Sequence, residues 1–426
     1  MNISWEQVLE EAVDLLRDYI RIDTTNPPGA ERAAADFLRR TLEAEGLSVE
    51  EYADDPMRPN IICRLKGDGS RRPFILLHHM DVVMAEPDKW TVDPFEGVVK
   101  DGCLWGRGAL DMKGLGIMEL MAFLLAYRFS VPLKRDLVFL AVSDEETGGS
   151  RGAGWLTAQP GVDLDAEYVL NEGGAGWRMG DMSGFNLAIG EKGPLWLRIS
   201  AEGAPGHGSV PIRNSAPVRL VRALARIVDH EFPVRIIDEM RLFLEKVGID
   251  PSIEASELAR HDLLTIPHFG AMFRDTISLT VMNAGRKENV IPSTAEAILD
   301  CRLIPGRSAG MFMDELRAII DDDGISLEVC AAYDSSISSA DSPMYRLMED
   351  ILARHYPGVP VLPTISTGFT DSRWFRSRGV ASYGLLPFVS DIEVLRTMHG
   401  HDERLALESL KKGSMVVFDL VKGLNE

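Results

Sequence analysis

The sequence predicts an α/β protein: a largely parallel mixed sheet covered by helices, with a smaller ferredoxin-like α+β domain inserted into it. Three observations predict this. Up to about residue 190, fully apolar strand-like runs alternate with segments of helical period. From Leu195 the texture changes to strands with one polar face, and after about Ser335 the first texture returns.

In the first texture, Ser4 followed by Gln7 is a capping pattern. The spacing of Val8, Ala12, Leu15 and Leu16 behind it predicts a helix to about Ile22. A turn at Asn26-Pro27-Pro28-Gly29 leads to a helix ending at Gly46 and to the strands NIICRL and FILL. An apolar helix from Gly114 to Tyr127, a strand from Leu137 to Ser143 and a short strand EYVL ending at Leu170 follow. Strands apolar on both faces belong to a covered sheet, and such sheets are largely parallel.

In the second texture, Leu195, Leu197 and Ile199 alternate with Trp196, Arg198 and Ser200, so one face of this sheet meets water. A helix near Ala216 to Val228, a helical insert from about Pro233 to Leu264, the strands TISLTVM and AEAILDCRL, a helix near Met311 to Ile320 and the strand ISLEV complete a β-α-β-β-α-β order. The expected division is 1–192 and 334–426 for the larger domain and 193–333 for the insert.

A formal charge of -20 repels phosphate backbones, which excludes nucleic acid as an expected partner. The cysteines Cys63, Cys103, Cys301 and Cys330 are scattered singly and read as reduced core residues. The N-terminus reads as a folded helix and not a signal peptide, and the apolar stretch from Gly114 to Tyr127 is shorter than the roughly twenty residues of a membrane span. The expectation is a soluble, cytoplasmic protein with no membrane contact.

His79 and Asp81 stand two apart at the end of the strand FILL, where an extended backbone aims both at one face. A carboxylate in that place orients a metal-binding imidazole; a solvated turn is the other reading. The strand from Leu137 ends in Asp144-Glu145-Glu146, and EYVL ends in Asn171-Glu172. Ligands of open α/β sheets bind beyond the carboxyl ends of the strands. Gathering His79, Glu145, Glu146 and Glu172 at one edge concentrates like charge that a cation would neutralise. Asp111, in GRGALDMKG, reads by itself as a helix cap, and its glycines match neither a phosphate loop nor a dinucleotide fingerprint.

Taken in order, His79 through Trp90, Pro94-Phe95, GRGALDMKG, DEETGG, NEGG, GHGSVP, ENVIP, LDCRLIPG, GFTDSR and MHGHDER span nearly the whole chain. This set closely resembles the zinc-dependent carboxypeptidase and N-acyl-amino-acid deacylase family, which includes aminoacylase, acetylornithine deacetylase, succinyl-diaminopimelate desuccinylase and carboxypeptidase S. The last is nearest in look. The resemblance makes the larger domain catalytic and the insert a lid and dimerisation domain. It implies two Zn2+ per subunit, with Co2+ or Mn2+ as alternative occupants. His79 and Glu172 would bind one metal and Glu146 and His399 the other, with Asp111 bridging. Glu145 would be the general base, Asp81 the residue orienting His79, and His207 an oxyanion stabiliser reaching a neighbouring subunit's site. Asn289, Arg302, Gly368 and Thr370 match positions that hold substrate or line its pocket. Arg302 could equally pair with a surface acid, and for Arg373 that is the preferred reading. His78, His230, His261, His268, His355 and His401 show no partner pattern and read as structural or exposed.

The implied activity is hydrolysis of the amide or peptide bond of an N-acyl amino acid or small peptide with a free carboxylate, by a homodimer. A biosynthetic deacylase of the acetylornithine or succinyl-diaminopimelate type, a dipeptidase or aminopeptidase, and a catalytically silent metal-binding relative are the alternatives. The presence of Glu145 argues against the last.

Overall fold

The helix Lys113–Arg128 is buried on nearly every side. It lies on the strands Phe74–His79 and Leu137–Val142 and packs against the helices Trp5–Ile20 and Leu407–Gly423. A sequence apolar on nearly every face therefore makes a sandwiched helix here, not an amphipathic one. The computed structural model describes residues 3–426 and forms two units. The first runs to Ile189 and resumes over Ser338–Thr364 and Thr370–Glu426; the second comprises Gly190–Ile337 and Ile365–Phe369.

The sheet of the first unit has the strand order Val49–Tyr52, Asn60–Leu65, Leu137–Val142, Phe74–His79, Tyr168–Met179, Ala381–Asp391, Met182–Glu191. The middle four strands run parallel and the outer pairings are antiparallel. Helices cover both faces. Opposite Lys113–Arg128, the side chains of Ile75, Leu77, Val138 and Leu140 pack with Ala153, Leu156 and Phe375 from two short helices. This is the mixed, centrally parallel sheet that the apolar runs predict.

The sheet of the second unit is antiparallel throughout, in the order Thr276–Asn283, Thr294–Leu303, Gly193–Glu202, Ile325–Ala332. Leu195, Leu197 and Ile199 face the helices Ala216–Asp229 and Ala309–Ile320 through Leu220, Leu224, Phe312 and Leu316. This is the ferredoxin-like arrangement.

Three local expectations fail. Ser4 occupies the N-cap position, but its side chain makes no capping hydrogen bond. The strand expected to end at Leu170 continues to Met179, because its distal half forms a hairpin with Met182–Glu191. Cys330 is exposed and Cys103 half-buried, so only Cys63 and Cys301 are core residues; all four are free thiols. Cys330 lies on an edge strand, where burial reaches one face only. Among the described residues no helix is long and apolar enough to cross a membrane.

Glu119 interrupts the apolar helix with both carboxylate oxygens buried and without a hydrogen-bond partner. His78 Nδ1 lies 3.7 Å away. Burial drives that imidazole down to about 3, so it is neutral, and burial alone pushes Glu119 well above its ordinary 4.5. The folded chain then holds a proton that the unfolded chain releases. The penalty is absent below about pH 4.5 and grows as pH rises. Glu119→Met is expected to stabilise the fold by about 1–3 kcal/mol at pH 8, with the gain shrinking toward pH 5. A melting temperature unchanged or lowered at pH 8 would contradict this.

Candidate metal centre

Parallel pairing brings two strand ends to one edge. Phe74–His79 ends on His79, and its neighbour Leu137–Val142 runs through Ser143 into the short helical turn Glu145–Thr147. Asp144 enters that turn in the left-handed region, with φ 75°. Glu172 arrives differently. In the pairing of Tyr168–Met179 with Ala381–Asp391, Asn171 opposes Gly384 while Ala175 opposes Leu386, so Glu172-Gly173-Gly174 bulge from the strand. A bulge re-aims the side chain it carries. A Cβ at Gly174 would lie 2.0 Å from the Asn186 carbonyl oxygen, which accounts for glycine there. Asp111 precedes the helix Lys113–Arg128 through a cis peptide to Met112, and His399 stands in a turn with φ 56°.

The five side chains converge on Asp111. Its Oδ1 lies 3.2 Å from His79 Nε2 and its Oδ2 lies 3.0 Å from His399 Nε2. Glu172 Oε1 is 3.7 Å from the first imidazole, and Glu146 Oε2 is 3.4 Å from the second. One carboxylate thus faces two His–Glu pairs, one with each oxygen. Atoms of His79, Asp111 and Glu146 lie within 4.8 Å of one another, as do atoms of His79, Glu145 and Glu172. Glu146 Oε1 is buried with no hydrogen-bond partner. A buried carboxylate oxygen lacking a donor, among imidazole nitrogens and further carboxylates, fits a divalent cation such as zinc.

The electrostatics point the same way. Burial first, then Glu172, pushes Glu145 well above the usual carboxylate range, and burial followed by Asp111 does the same to Glu172. Burial would raise Asp111 too, but His399 and His79 on its two oxygens hold it low. His399 is lifted to about 10 by Asp111 and then Glu146. His79 would be lowered by burial, yet Asp111, Asp81 and Glu172 raise it well above its ordinary value. The site stabilises positive charge on both imidazoles, and a cation bound there would displace those protons.

A second layer fixes these groups. His79 Nδ1 meets the backbone carbonyl of Asp81 at 3.0 Å and the Asp81 carboxylate at 3.5 Å. That carboxylate also accepts hydrogen bonds from the backbone N–H groups of Glu145 and Glu146 and from Asn26. One aspartate therefore orients an imidazole and pins the loop carrying two glutamates. Behind that loop, the buried Arg58 guanidinium bonds Glu31 at 2.8 Å and Asp144 at 3.0 Å. Arg58 stands in no motif that marks it in the sequence, and Asn26 reads there only as part of a turn.

The remaining expected site residues are placed within their own units. His207 is exposed on the two-residue strand Gly206–His207, paired with Val290–Ile291, and its Nδ1 accepts from the Ser209 N–H. The Asn289 carbonyl accepts from Gly208 N–H, which brings these two loops of the second unit together. Arg302 is gripped by Asp300 at 2.7 and 3.0 Å and lies over Phe369, leaving Nη1 buried with no hydrogen-bond partner. Gly368 is exposed in the second unit. Thr370 is buried, and its hydroxyl accepts from the Ser372 N–H. Arg373 is no surface residue: it is buried, donates to the Gly148 carbonyl at 2.5 Å and stacks over Trp374. Of the histidines that show no partner pattern in the sequence, His355 meets Asp419 at 2.8 Å and the exposed His401 meets Glu86 at 3.0 Å.

The sequence profile of the peptidase family M20/M25/M40 matches residues 75–423. The probable carboxypeptidase S-like 2 of Dictyostelium discoideum is 30% identical over 388 residues, 85% of this chain and 74% of that protein. The Homo sapiens N-fatty-acyl-amino acid synthase/hydrolase PM20D1 is 27% identical over 398 residues, 88% of this chain and 77% of that protein. Among solved structures, an M20 family metallo-carboxypeptidase from Sulfolobus solfataricus superposes with a TM-score of 0.77 at 18% identity, covering 97% of this chain and 98% of that one.

Proposed function

Because the chain belongs to the peptidase family M20/M25/M40, a family of metallopeptidases and amidohydrolases, we propose that it is a dinuclear zinc enzyme releasing an amino acid from an N-acyl or peptidyl group. The observation that carries this reading is Asp111, with His79 on one of its oxygens and His399 on the other, and with Glu172 beside the first imidazole and Glu146 beside the second. His79, Glu172 and Asp111 would hold one cation; Asp111, Glu146 and His399 would hold the second. Bound there, the pair would lower the pKa of a shared water toward neutrality and polarise the carbonyl under attack.

The chain's own groups do the rest. Glu145 takes the proton of the attacking water and passes it to the departing amine nitrogen; burial and the Glu172 charge give its carboxylate the raised affinity that holding a proton requires. Asp81 keeps the His79 ring turned so that Nε2 faces Asp111. By the family resemblance, His207 would donate to the oxygen that becomes negative in a neighbouring subunit's site, and Asn289, Arg302, Gly368 and Thr370 would hold the substrate or line its pocket. We place this chain in the cytoplasm, as a homodimer formed through the second unit. The exposed Leu279, Val281 and Met282 on its edge strand support that interface.

The two relatives are named a probable carboxypeptidase S-like protein and an N-fatty-acyl-amino acid synthase/hydrolase, and both names suit an amide with an amino acid on its amine side. The test is a panel of N-acetyl and longer N-acyl amino acids and dipeptides, each as free acid and as C-terminal amide, with zinc, cobalt and manganese. Turnover of the free acids with at least a tenfold loss on amidation, about 1.4 kcal/mol of lost carboxylate recognition, is expected. Turnover confined to dipeptides with free amines, indifferent to the carboxylate, would overturn the assignment.

A further inference from the structure

Arg107 and Glu403 form an ion pair with 2% and 0% of their surface exposed, and neither belongs to the ligand set. Glu403 Oε1 accepts the backbone N–H of Leu110 at 2.7 Å and of Asp111 at 3.1 Å, while Oε2 accepts from Arg107 Nη1 at 2.5 Å. The other arm of the guanidinium, Nη2, donates to the carbonyl of Gly400 at 2.7 Å and lies 3.4 Å from that of Met84. Its plane lies over Trp90, 5.2 Å from the ring centre. The Gly106 N–H closes the loop onto the Glu403 carbonyl at 2.9 Å.

The consequence is geometric. Glu403 grips the peptide group that presents Asp111, and Arg107 grips the residue immediately after His399. The two loops leave the paired strands Cys103–Trp105 and Arg404–Ala406, and beyond the end of that ladder the ion pair ties them together. His399 in turn needs outside support, because it sits at φ 56° in the left-handed region and its side chain is largely exposed. His79 and Glu172 are held independently of the pair, by the parallel strand and the bulge.

We propose that Arg107 and Glu403 are a positioning pair that sets cation affinity through Asp111 and His399, with the larger effect at the Asp111–Glu146–His399 site, where both positioned residues are ligands, and the smaller at the His79–Glu172 side, which shares only Asp111. This rests on the dinuclear reading above. Supporting groups of this kind tune metal affinity by about 10- to 100-fold, and a buried pair broken on one side also leaves an uncompensated charge.

The experiment is equilibrium zinc and cobalt titration of the full chain, wild type against Glu403→Gln, Arg107→Lys and the double variant Arg107→Met/Glu403→Gln, with cations counted by elemental analysis and folding followed by near-ultraviolet circular dichroism. Each variant is expected to keep one tight cation and to bind the second about 10- to 100-fold more weakly. The double variant should remain weak, because removing both charges does not restore the lost positioning. Variants that bind both cations as tightly as wild type, that weaken both equally, or whose affinity is restored in the double variant overturn the proposal. A variant that fails to fold is replaced by the milder of the single substitutions. A wild-type chain that binds no second cation would instead overturn the dinuclear reading.

Discussion

Glu145→Gln is expected to leave both cations bound and to lower turnover of an N-acyl amino acid by about 10²–10⁴-fold, the range for a lost general acid–base group. Gln fills the same space and keeps the Glu145 backbone N–H on Asp81, so the loop holding Glu146 should not move. What disappears is a carboxylate that can accept and release a proton beside Glu172. Turnover and cation content must be measured together, because Glu145 also lies within ligand distance of His79 and Glu172. Near wild-type turnover with full cation content would remove Glu145 as the proton carrier. Loss of a cation would make it a ligand instead.

Stripping the divalent cations is expected to abolish turnover and to lower the melting temperature. Four carboxylates, those of Asp111, Glu145, Glu146 and Glu172, crowd two imidazoles in a largely buried space. Without cations, protons must neutralise them, which is the meaning of the raised Glu145, Glu146 and Glu172 values. Cations held at a hundredfold excess over their dissociation constant would contribute roughly 2.7 kcal/mol to folding stability per site. Protons compete for the same groups, so the stabilisation by added cation should weaken as pH falls and the imidazoles protonate. Differential scanning calorimetry of chelated and reloaded protein at pH 8 and pH 6 reads both effects. An identical melting temperature with and without chelator at pH 8 would contradict this.

The sheet and the inserted domain were legible because burial writes itself into the pattern. Strands such as Leu137–Val142 are covered on both faces and are apolar throughout, while Gly193–Glu202 alternates because one of its faces meets solvent. His79 and Glu145 were legible as neighbours because parallel strands carry their C-terminal ends to a common edge. Glu172 was found for a partly mistaken reason. The run Asn171-Glu172-Gly173-Gly174 reads as the end of a strand, yet the strand continues and bulges, which no local pattern distinguishes from a turn. The pair Arg107 and Glu403 was hidden because its members lie 296 residues apart. Arg107 stands in GRGALDMKG and Glu403 in MHGHDER, motifs in which the residue types point to Asp111 and His399 as the ligands. Arg373 was misjudged because an arginine in a polar hexapeptide looks exposed, whereas the Gly148 carbonyl and Trp374 enclose it.

The central claim is that Asp111 joins two cation sites into one hydrolytic centre. Stepwise reloading of the chelated chain with zinc, measuring turnover of an N-acyl amino acid and bound metal in the same samples, tests it most directly. The account predicts no turnover at zero cations, full turnover as the chain takes up its second equivalent, and neither second-site binding nor full turnover in Asp111→Ala. Hydrolysis by the metal-free chain, or an Asp111→Ala variant that binds two cations and turns over normally, would contradict it.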